Sequence, residues 1–441
     1  MSVTKRRKMM RRLNVYEAVQ RRLEYIFNYF EYVYVSFSGG KDSGLLLHLC
    51  IDYIRKHEPG RKLGVFHMDY EVQYKETTDY VARMLSDNRD ILEVYHCCVP
   101  FKVSTATSMH QSYWRPWDPE LKESWVRDMP DNCMTANDFD FYTPELWDYD
   151  FQFLFESWLI RQKNCRRICS LVGIRAQESF NRWRTVHSEK NYRHLNHLKW
   201  THKFDTKSYN AYPLHDWKAT DIWTAYGKFG WDYNRLYDLY YQAGVPINRQ
   251  RVASPFISQA IHALALYKAI DPDMWGRMIS RVNGVNFAGL YGKTKAMGWK
   301  KITCPKGFSW KEYMFFLLDT LPEQTRRNYL NKLQVSIRFW RERGGCLANE
   351  TIEKLKKLGV NITVGEYSNY RTDKKPVRME YLDDINIAEF QEIPTYKRMC
   401  ICILKNDHTC RYMGFSLTKQ EKDRRDMVMK KYKSLKNERT V

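Results

Sequence analysis

The stretch VYVSFSGGKDSGLLLHL, residues 33 to 49, decides the fold expected for this chain. It joins an apolar run rich in β-branched and aromatic residues, typical of a buried strand, to a leucine-rich run with helical spacing. Between them lies SGGKDS, residues 38 to 43, in which two glycines permit a tight turn. Free backbone N–H groups and the partial positive charge of a helix N-terminus favour anions. The sequence therefore predicts an anion-binding turn between a strand and a helix.

The side chains of this turn suit a phosphate or sulfate group. Lys41 offers a mobile ammonium group, and Ser38 and Ser43 offer hydroxyl groups. Asp42 is unusual in an anion site, and it could coordinate Mg²⁺ or cap the helix. The turn is not a Walker A loop, because GxxxxGK followed by Ser or Thr is absent. The alternative interpretation is an ordinary strand-to-helix turn, where glycine and serine are common.

Helical and strand patterns alternate along the first half of the chain. Helical spacing is found at 13–30, 46–54, 75–86 and 151–163, and strand-like apolar runs at 63–70, 91–99 and 166–174. A strand end followed by a helix is predicted at 211–229, with Asp216 or Thr220 as the N-cap. The alternation predicts an α/β fold with a doubly wound, mostly parallel sheet.

Charge and composition restrict the class of protein. Lys and Arg number 72 against 51 Asp and Glu, and the net charge of +21 favours nucleotides, nucleic acid or acidic protein surfaces as partners. Aromatic residues make up 15% of the chain and either stack on bases or fill the core. The eleven cysteines lack the spacing of a disulfide scaffold. Without a secretory signal or an apolar run of membrane-spanning length, we expect a cytoplasmic protein with no membrane segment.

Four blocks of sequence resemble the phosphoadenosine phosphosulfate (PAPS) reductase family, within the PP-loop adenine nucleotide alpha-hydrolase superfamily. The block SFSGGKDS resembles the PP-loop itself. The others follow in family order, namely FHMDYEVQYKET (66–77), LVGIRAQESFNRWR (171–184) and YPLHDWKATDIWTAYGKFGWDYNRLYDLYYQAG (212–244). The resemblance covers about residues 30–255 and implies that the chain binds an adenine nucleotide, either ATP or PAPS.

The same resemblance implies a set of nucleotide-binding residues. The phosphate or sulfate end would be held by Ser36, Ser38, Gly39, Gly40, Lys41, Asp42 and Ser43. Asp69 would lie at the end of the second strand, near the ribose or a metal. Gly173 and Arg175 would lie beside the nucleotide, and Arg182 could meet an anionic group. Lys41 and Asp42 are the catalytic candidates, and Asp42 is the candidate ligand for Mg²⁺ bound with ATP.

The cysteines do not follow the family's reductase pattern. True PAPS reductases take up the sulfo group on a C-terminal cysteine thiolate, whereas here no cysteine follows Cys410. Two pairs only loosely resemble the cysteine set of an iron–sulfur cluster, so a cluster is not favoured. These pairs are Cys97 with Cys98 and Cys165 with Cys169.

Two other groups of possible metal ligands have simpler explanations. Cys400, Cys402 and Cys410 lack the paired knuckles of a zinc site, so zinc is not favoured, and we predict alternating core positions on a strand. A basic stretch holds several histidines, for which a surface or nucleic-acid-facing role is favoured over metal binding. They are His187, His194, His197 and His202.

The predicted domain organisation follows the resemblance and the change in pattern beyond it. We expect a basic N-terminal helix (1–30), a PP-loop domain (31–255) with an insertion at 104–150, a helical domain (256–344) and a small α+β region (345–441) ending in a basic helix. The stretches at 285–322 and 398–415 resemble a narrower PAPS-reductase-like subfamily of bacteria and phages. It includes the immunoglobulin-binding regulator A type of protein, and this resemblance implies a ParB-like partner protein.

Three functions stay open from the sequence. The first is an enzyme that cleaves ATP between the α- and β-phosphates and adenylates an acceptor. The second is sulfonucleotide transfer or reduction on PAPS. The third is a non-catalytic, nucleotide-sensing regulator or defence protein that acts on DNA or RNA with a ParB-like partner. Enzymatic chemistry, as an ATP pyrophosphatase or a reductase-like protein, is the favoured class.

Overall fold

The structure is a computed structural model that describes residues 13–187, 193–204, 206–257, 260–291, 302–366 and 373–415. The chain divides into two compact units. The first comprises Met1–Val103, Arg115–Ser254 and Tyr267–Arg277, and the second comprises Ser104–Trp114, Pro255–Leu266 and Met278–Val441. The basic segments at 5–12 and from Lys419 onward lie outside the described residues. The domain boundaries expected from the sequence stay predictions.

The described helices and strands follow the order expected for an α/β chain. The helices are α1 (Val15–Tyr29), α2 (Lys41–His57), α3 (Lys75–Ser86), α4 (Asp148–Lys163), α5 (Phe180–His187), α6 (Ala219–Phe229), α7 (Leu236–Gln242), α8 (Ala265–Ile270), α9 (Pro272–Arg281), α10 (Val285–Tyr291), α11 (Trp310–Asp319), α12 (Glu323–Arg338), α13 (Asn349–Lys357) and α14 (Tyr396–Leu404). The strands are β1 (Tyr32–Ser36), β2 (Leu63–Met68), β3 (Leu92–Cys97), β4 (Val103–Ser104), β5 (Tyr113–Trp114), β6 (Ile168–Val172), β7 (Thr201–Lys203), β8 (Ser208–Ala211), β9 (Gly345–Leu347), β10 (Ile362–Val364) and β11 (Lys375–Met379).

The first unit is built on a six-stranded sheet in the order β3-β2-β1-β6-β8-β7. The first four pairings are parallel, and only β7 runs antiparallel to its neighbour β8. Strand β1 therefore lies inside the sheet, with Val35 opposite Val65 of β2 on one side and Leu171 of β6 on the other. The expected doubly wound, mostly parallel sheet is confirmed.

Helix α2 is fixed to this sheet by a continuous apolar surface. Leu45, Leu46, Leu49 and Ile54 have no solvent exposure and pack into one cluster with residues of β1, β2 and β6. Full burial of each leucine or isoleucine contributes about 1.5–3 kcal/mol relative to exposure. The N-terminus of α2, and with it the turn after β1, is thus held in a fixed position at the carboxyl end of the sheet.

The second unit contains a three-stranded antiparallel sheet in the order β10-β11-β9 and a separate helical core. In that core α11, α12 and α14 bring together Trp310, Leu333 and Met399. Among the described residues, no helix combines the length and the apolar composition needed to cross a membrane.

Three expectations from the sequence are wrong in detail. Cys400 and Cys402 lie on helix α14, not on a strand, because Thr395 caps the start of the helix by accepting the Arg398 N–H. Helix α6 is not capped by Asp216 or Thr220, since the Asp221 carboxylate accepts the Lys218 N–H 2.7 Å away.

The third concerns His194, which was expected at a surface. Its side chain is instead buried, and its Nδ1 lies 2.8 Å from the Thr201 carbonyl oxygen. Because Thr201 begins strand β7, this histidine fixes the local chain path beside the edge of the sheet.

Candidate functional site

The turn after β1 is shaped by its two glycines. Gly39 has φ +73°, and a Cβ there would come within 2.9 Å of methyl groups of Thr77 and Val81. Gly40 is the extended N-cap residue of α2, and Lys41 begins the helix. The main chain therefore reverses tightly against α3, in a form that only glycine adopts without strain.

The backbone N–H groups of the turn are paired with hydroxyl oxygens. The Ser38 N–H donates to Ser43 Oγ at 3.2 Å, and the Gly40 N–H donates to Ser38 Oγ at 3.4 Å. The Lys41 N–H donates to the hydroxyl of Tyr237 at 3.0 Å. The sequence predicted free N–H groups, whereas here neutral acceptors occupy them. A phosphate oxygen would replace each with a stronger, charge-assisted hydrogen bond.

Three charged side chains meet at the start of α2. Lys41 Nζ lies 3.0 Å from Asp42 Oδ2, and Arg175 Nε lies 2.6 Å from Asp42 Oδ1. The side chains of Lys41 and Arg175 are each 5% exposed, and that of Asp42 is 15% exposed. Two buried cations thus flank one carboxylate, and the excess positive charge lies beside the helix N-terminus, where it favours an anion.

Asp42 is poorly arranged as a direct magnesium ligand. Both of its carboxylate oxygens already accept hydrogen bonds from cations, one from Lys41 and one from Arg175. A divalent cation would have to displace one of these partners. The residues therefore do not fit the magnesium site expected at Asp42. A magnesium ion arriving on nucleotide phosphates needs few protein ligands.

Gly173 allows the loop after β6 to reach the first turn of α2. A Cβ at this position would lie 2.9 Å from the carbonyl carbon of Asp42 and 3.0 Å from the backbone nitrogen of Ser43. Close approach of the two backbones brings Arg175 within reach of Asp42. In open α/β sheets this edge, where neighbouring connections leave in opposite directions, is the usual ligand site.

Three residues that the sequence analysis did not single out support the turn. Asn234 is fully buried and donates to the Gly39 carbonyl oxygen at 2.9 Å. Tyr226 donates to the Lys41 carbonyl oxygen at 2.8 Å, and Tyr237 accepts from the Lys41 N–H. All three lie in the 212–244 block that resembles the PAPS reductase family, which was the available signal for them.

A second cluster lies at the carboxyl ends of β2 and β3. His96 Nε2 lies 3.0 Å from Asp69 Oδ2, and Arg127 donates to Asp69 Oδ1. His67 Nδ1 lies 2.8 Å from the Phe37 carbonyl oxygen. Since Phe37 directly precedes Ser38, this hydrogen bond joins the cluster to the start of the turn.

Charge decides the protonation of this second cluster. Burial opposes ionisation of Asp69, but the Arg127 charge and the hydrogen bond from His96 outweigh it and hold the Asp69 pKa well below its usual value. Burial, together with the neighbouring His96, lowers the pKa of His67 to about 4. Asp69 is therefore a carboxylate and His67 a neutral imidazole near pH 7.

The remaining candidates occupy different places. Ser36 ends β1 and is paired with Phe66 and Val172 on the neighbouring strands. Arg182 lies on α5 and forms an ion pair with Glu178. The structure thus brings together the residues from Ser38 to Ser43 with Gly173 and Arg175, and it places Asp69 and Arg182 in other clusters.

Comparison with known proteins gives two family matches. Residues 32–243 match the phosphoadenosine phosphosulfate reductase domain. Residues 244–424 match a domain of unknown function, DUF3440. A relative from Escherichia coli strain K12, the uncharacterized protein YbdN, is 33% identical over 414 residues, which cover 93% of this chain and 92% of YbdN.

Several solved structures are also similar to the chain, with low overall scores. PAPS reductase from Candida auris, in a phosphate complex, has 15% identity and a TM-score of 0.29, covering 53% of this chain and 87% of its own. FMN adenylyltransferase from Candida glabrata, with FMN and an ATP analogue, has 18% identity and a TM-score of 0.30. The match covers 51% of this chain and 59% of the adenylyltransferase chain. The U34-tRNA thiolase NcsA from Methanococcus maripaludis, with its 4Fe–4S cluster, has 12% identity and a TM-score of 0.30. The match covers 67% of this chain and 84% of the NcsA chain.

Proposed function

Because the chain belongs to the phosphoadenosine phosphosulfate reductase domain family, we propose that it binds an adenine nucleotide at the turn of residues 38 to 43 and transfers its nucleotidyl group. ATP is the proposed substrate. An acceptor oxygen attacks the α-phosphorus, the bond from that phosphorus to the bridging oxygen breaks, and pyrophosphate leaves.

The observation that carries this proposal is the pair of buried cations at the N-terminus of α2. Lys41 and Arg175 flank Asp42, and the neighbouring N–H groups are held by replaceable hydroxyl oxygens. Pyrophosphate bound there would receive the charge that develops as the bond breaks. Such fixed charges lower the barrier because they are in place before the reaction begins. Lys41 is accordingly the proposed catalytic residue, and Asp42 positions Lys41 and Arg175.

Sulfonucleotide reduction is less well supported, because it needs a reactive thiolate. Burial raises the pKa of the thiols of Cys50 and Cys169, which lie on α2 and β6. It also raises the thiol pKa of Cys98, which follows β3. These cysteines are thus protonated near pH 7. PAPS remains the alternative ligand, with transfer of its sulfo group to an external acceptor.

The test is pyrophosphate release from Mg-ATP by the full-length protein, with and without candidate acceptors. Lys41→Ala should reduce release at least a hundredfold, since it removes a cation from the leaving group. Lys56→Ala, which changes an exposed lysine near the other end of α2, is the matched control and should leave the rate unchanged. If the protein releases sulfite from PAPS in the presence of a thiol reductant but releases no pyrophosphate from ATP, nucleotidyl transfer is contradicted. Failure to bind either nucleotide would contradict the site itself.

The second candidate function is a nucleotide-sensing regulator or defence protein that acts on nucleic acid. The net charge of +21 favours it, because such an excess attracts polyanions regardless of sequence. In this case nucleotide would bind at the same turn without turnover. The ParB-like partner belongs to this candidate and stays a prediction.

A further inference from the structure

We propose that His67, Asp69 and His96 form a binding site for a divalent transition-metal ion. Each offers one ligand atom, and these atoms all lie within 4.8 Å of one another. A single cation placed among them could bind two imidazole nitrogens and one carboxylate oxygen. The site is distinct from Asp42 and does not depend on the proposed nucleotide chemistry.

Strand pairing explains why these three side chains converge. His67 is directly opposite His96 in the parallel β2–β3 register, so the two imidazoles share one face of the sheet. Asp69 lies two residues after His67, and the period of two in a strand returns it to the same face. The Asp69 N–H donates to the Cys97 carbonyl oxygen at 2.9 Å, which continues the ladder past the end of β2.

The hydrogen bond of His67 leaves the correct nitrogen for a metal. A carbonyl oxygen only accepts, so His67 Nδ1, 2.8 Å from the Phe37 oxygen, carries the proton. Its Nε2 then holds the lone pair that binds a cation. Histidine ligands of metals generally donate their other ring N–H to such a partner, which fixes the orientation of the ring.

Hydrogen bonds also orient the Asp69 carboxylate for binding a metal. Its Oδ1 accepts the Glu71 N–H at 2.9 Å and a hydrogen bond from Arg127. Its Oδ2 faces His96 Nε2 at 3.0 Å. A cation would take the place of the proton shared between Oδ2 and Nε2, and this proton would go to solvent. Asp69 is 2% exposed, so its carboxylate is oriented by these protein groups and has little contact with solvent.

The donor set selects the class of metal. Two imidazoles and one carboxylate suit Zn²⁺, Fe²⁺ or Co²⁺, whereas Mg²⁺ and Ca²⁺ prefer oxygen ligands alone. Three protein ligands leave coordination positions for water or a substrate atom.

The experiment uses the full-length protein after treatment with a chelator. Co²⁺ is titrated and followed by its visible absorption, and Zn²⁺ binding is measured by equilibrium dialysis. We expect one tightly bound ion per chain. Asp69→Asn and His96→Ala should each weaken metal binding at least tenfold. If the His96→Ala protein does not fold, His96→Gln takes its place, because it keeps a polar group beside Asp69, and it should weaken binding by the same factor.

The matched control is His187→Ala, which removes an exposed histidine in the basic stretch. It should leave Co²⁺ binding unchanged, and Zn²⁺ should raise the melting temperature of this variant and of the parent protein but not of His96→Gln. An intense near-ultraviolet cobalt–sulfur band would place the ion on cysteines and overturn the assignment. Binding that survives Asp69→Asn and His96→Gln, or no binding at all, would also overturn it.

Discussion

At the scale of single residues, the turn depends on glycines for different physical reasons. Gly39 is required by its left-handed backbone and by the methyl groups of Thr77 and Val81. Gly173 does not have a left-handed φ, but it lies against the backbone of Asp42 and Ser43. A flexible side chain could move away from an added methyl group, whereas the start of a buried helix cannot.

Gly173→Ala should therefore separate the loop after β6 from α2. We expect a loss of about 1–3 kcal/mol in stability, as for an overpacked core, and at least tenfold weaker ATP binding, because Arg175 moves away from Asp42. Isothermal titration with ATP and urea unfolding would measure both effects.

Gly227→Ala is the control for this prediction. Gly227 lies inside α6, and an added Cβ would meet no heavy atom within 4 Å. Alanine there should raise stability by about 0.5–1 kcal/mol through helix propensity and leave ATP binding unchanged. Equal ATP affinities for the two variants would contradict the role given to Gly173.

His215 predicts a pH dependence of stability. Burial, and after it the charge of Arg22, lowers its pKa from about 6.5 to about 4. Between these values the unfolded chain binds a proton that the folded chain does not, so stability falls as the pH is lowered from 7 to 4. This histidine should account for a loss of roughly 3 kcal/mol. His215→Gln should show a shallower decrease in urea unfolding measured across this range, and identical slopes for the two proteins would rule out His215 as the source.

At the scale of elements, local patterns in the sequence indicated strands and helices well but not what holds them together. The strand β1, the turn and helix α2 were all indicated by one continuous stretch, because apolar periodicity and glycine are local signals. Tyr237 reaches Lys41 across 196 residues of sequence, and no local pattern encodes such a contact. The pairing of His67 with His96 likewise depends on strand register, which periodicity leaves open.

In the apolar run around Cys400 the local pattern itself was ambiguous, and the prediction of a strand was wrong. Every residue from Met399 to Leu404 is apolar, so alternation and helical spacing fit this run equally well. The helix is decided instead by its cap at Thr395 and by packing against α11 and α12.

Asn234 tests how far α7 and the residues before it support the turn. Its side chain donates to the Gly39 carbonyl oxygen and to Thr77 Oγ1, and accepts the Leu236 N–H at 2.9 Å. Asn234→Ala leaves these buried groups without partners, so we expect a loss of about 2–3 kcal/mol and at least tenfold weaker ATP binding. Thr77→Val, which removes one of the three partners and keeps the side-chain volume, should lower both the stability and the ATP affinity by less than Asn234→Ala does. An Asn234→Ala protein that binds ATP normally would show that the turn holds its shape without this side chain.

At the scale of the whole molecule, the charge excess leads to a prediction about nucleic acid. Affinity for single-stranded DNA, measured by fluorescence anisotropy, should fall steeply as the salt concentration rises from about 50 to 200 mM. Binding releases counterions from the DNA, and this release becomes less favourable as the salt concentration increases. Replacing Lys5, Arg6, Arg7 and Lys8 with glutamine should make that dependence shallower. Binding that is absent or independent of salt would remove the regulator that acts on nucleic acid from consideration.

The position of β1 inside the sheet has a consequence for isotope exchange. Its amide hydrogens are bonded between β2 and β6, so they should exchange with deuterium only when the first unit opens as a whole. In the turn, the amides of Ser38, Gly40 and Lys41 are bonded to side-chain hydroxyl groups instead, and rotation of those groups is enough to expose them. Deuterium uptake should therefore report ligand binding in the turn with almost no background from the strand that precedes it.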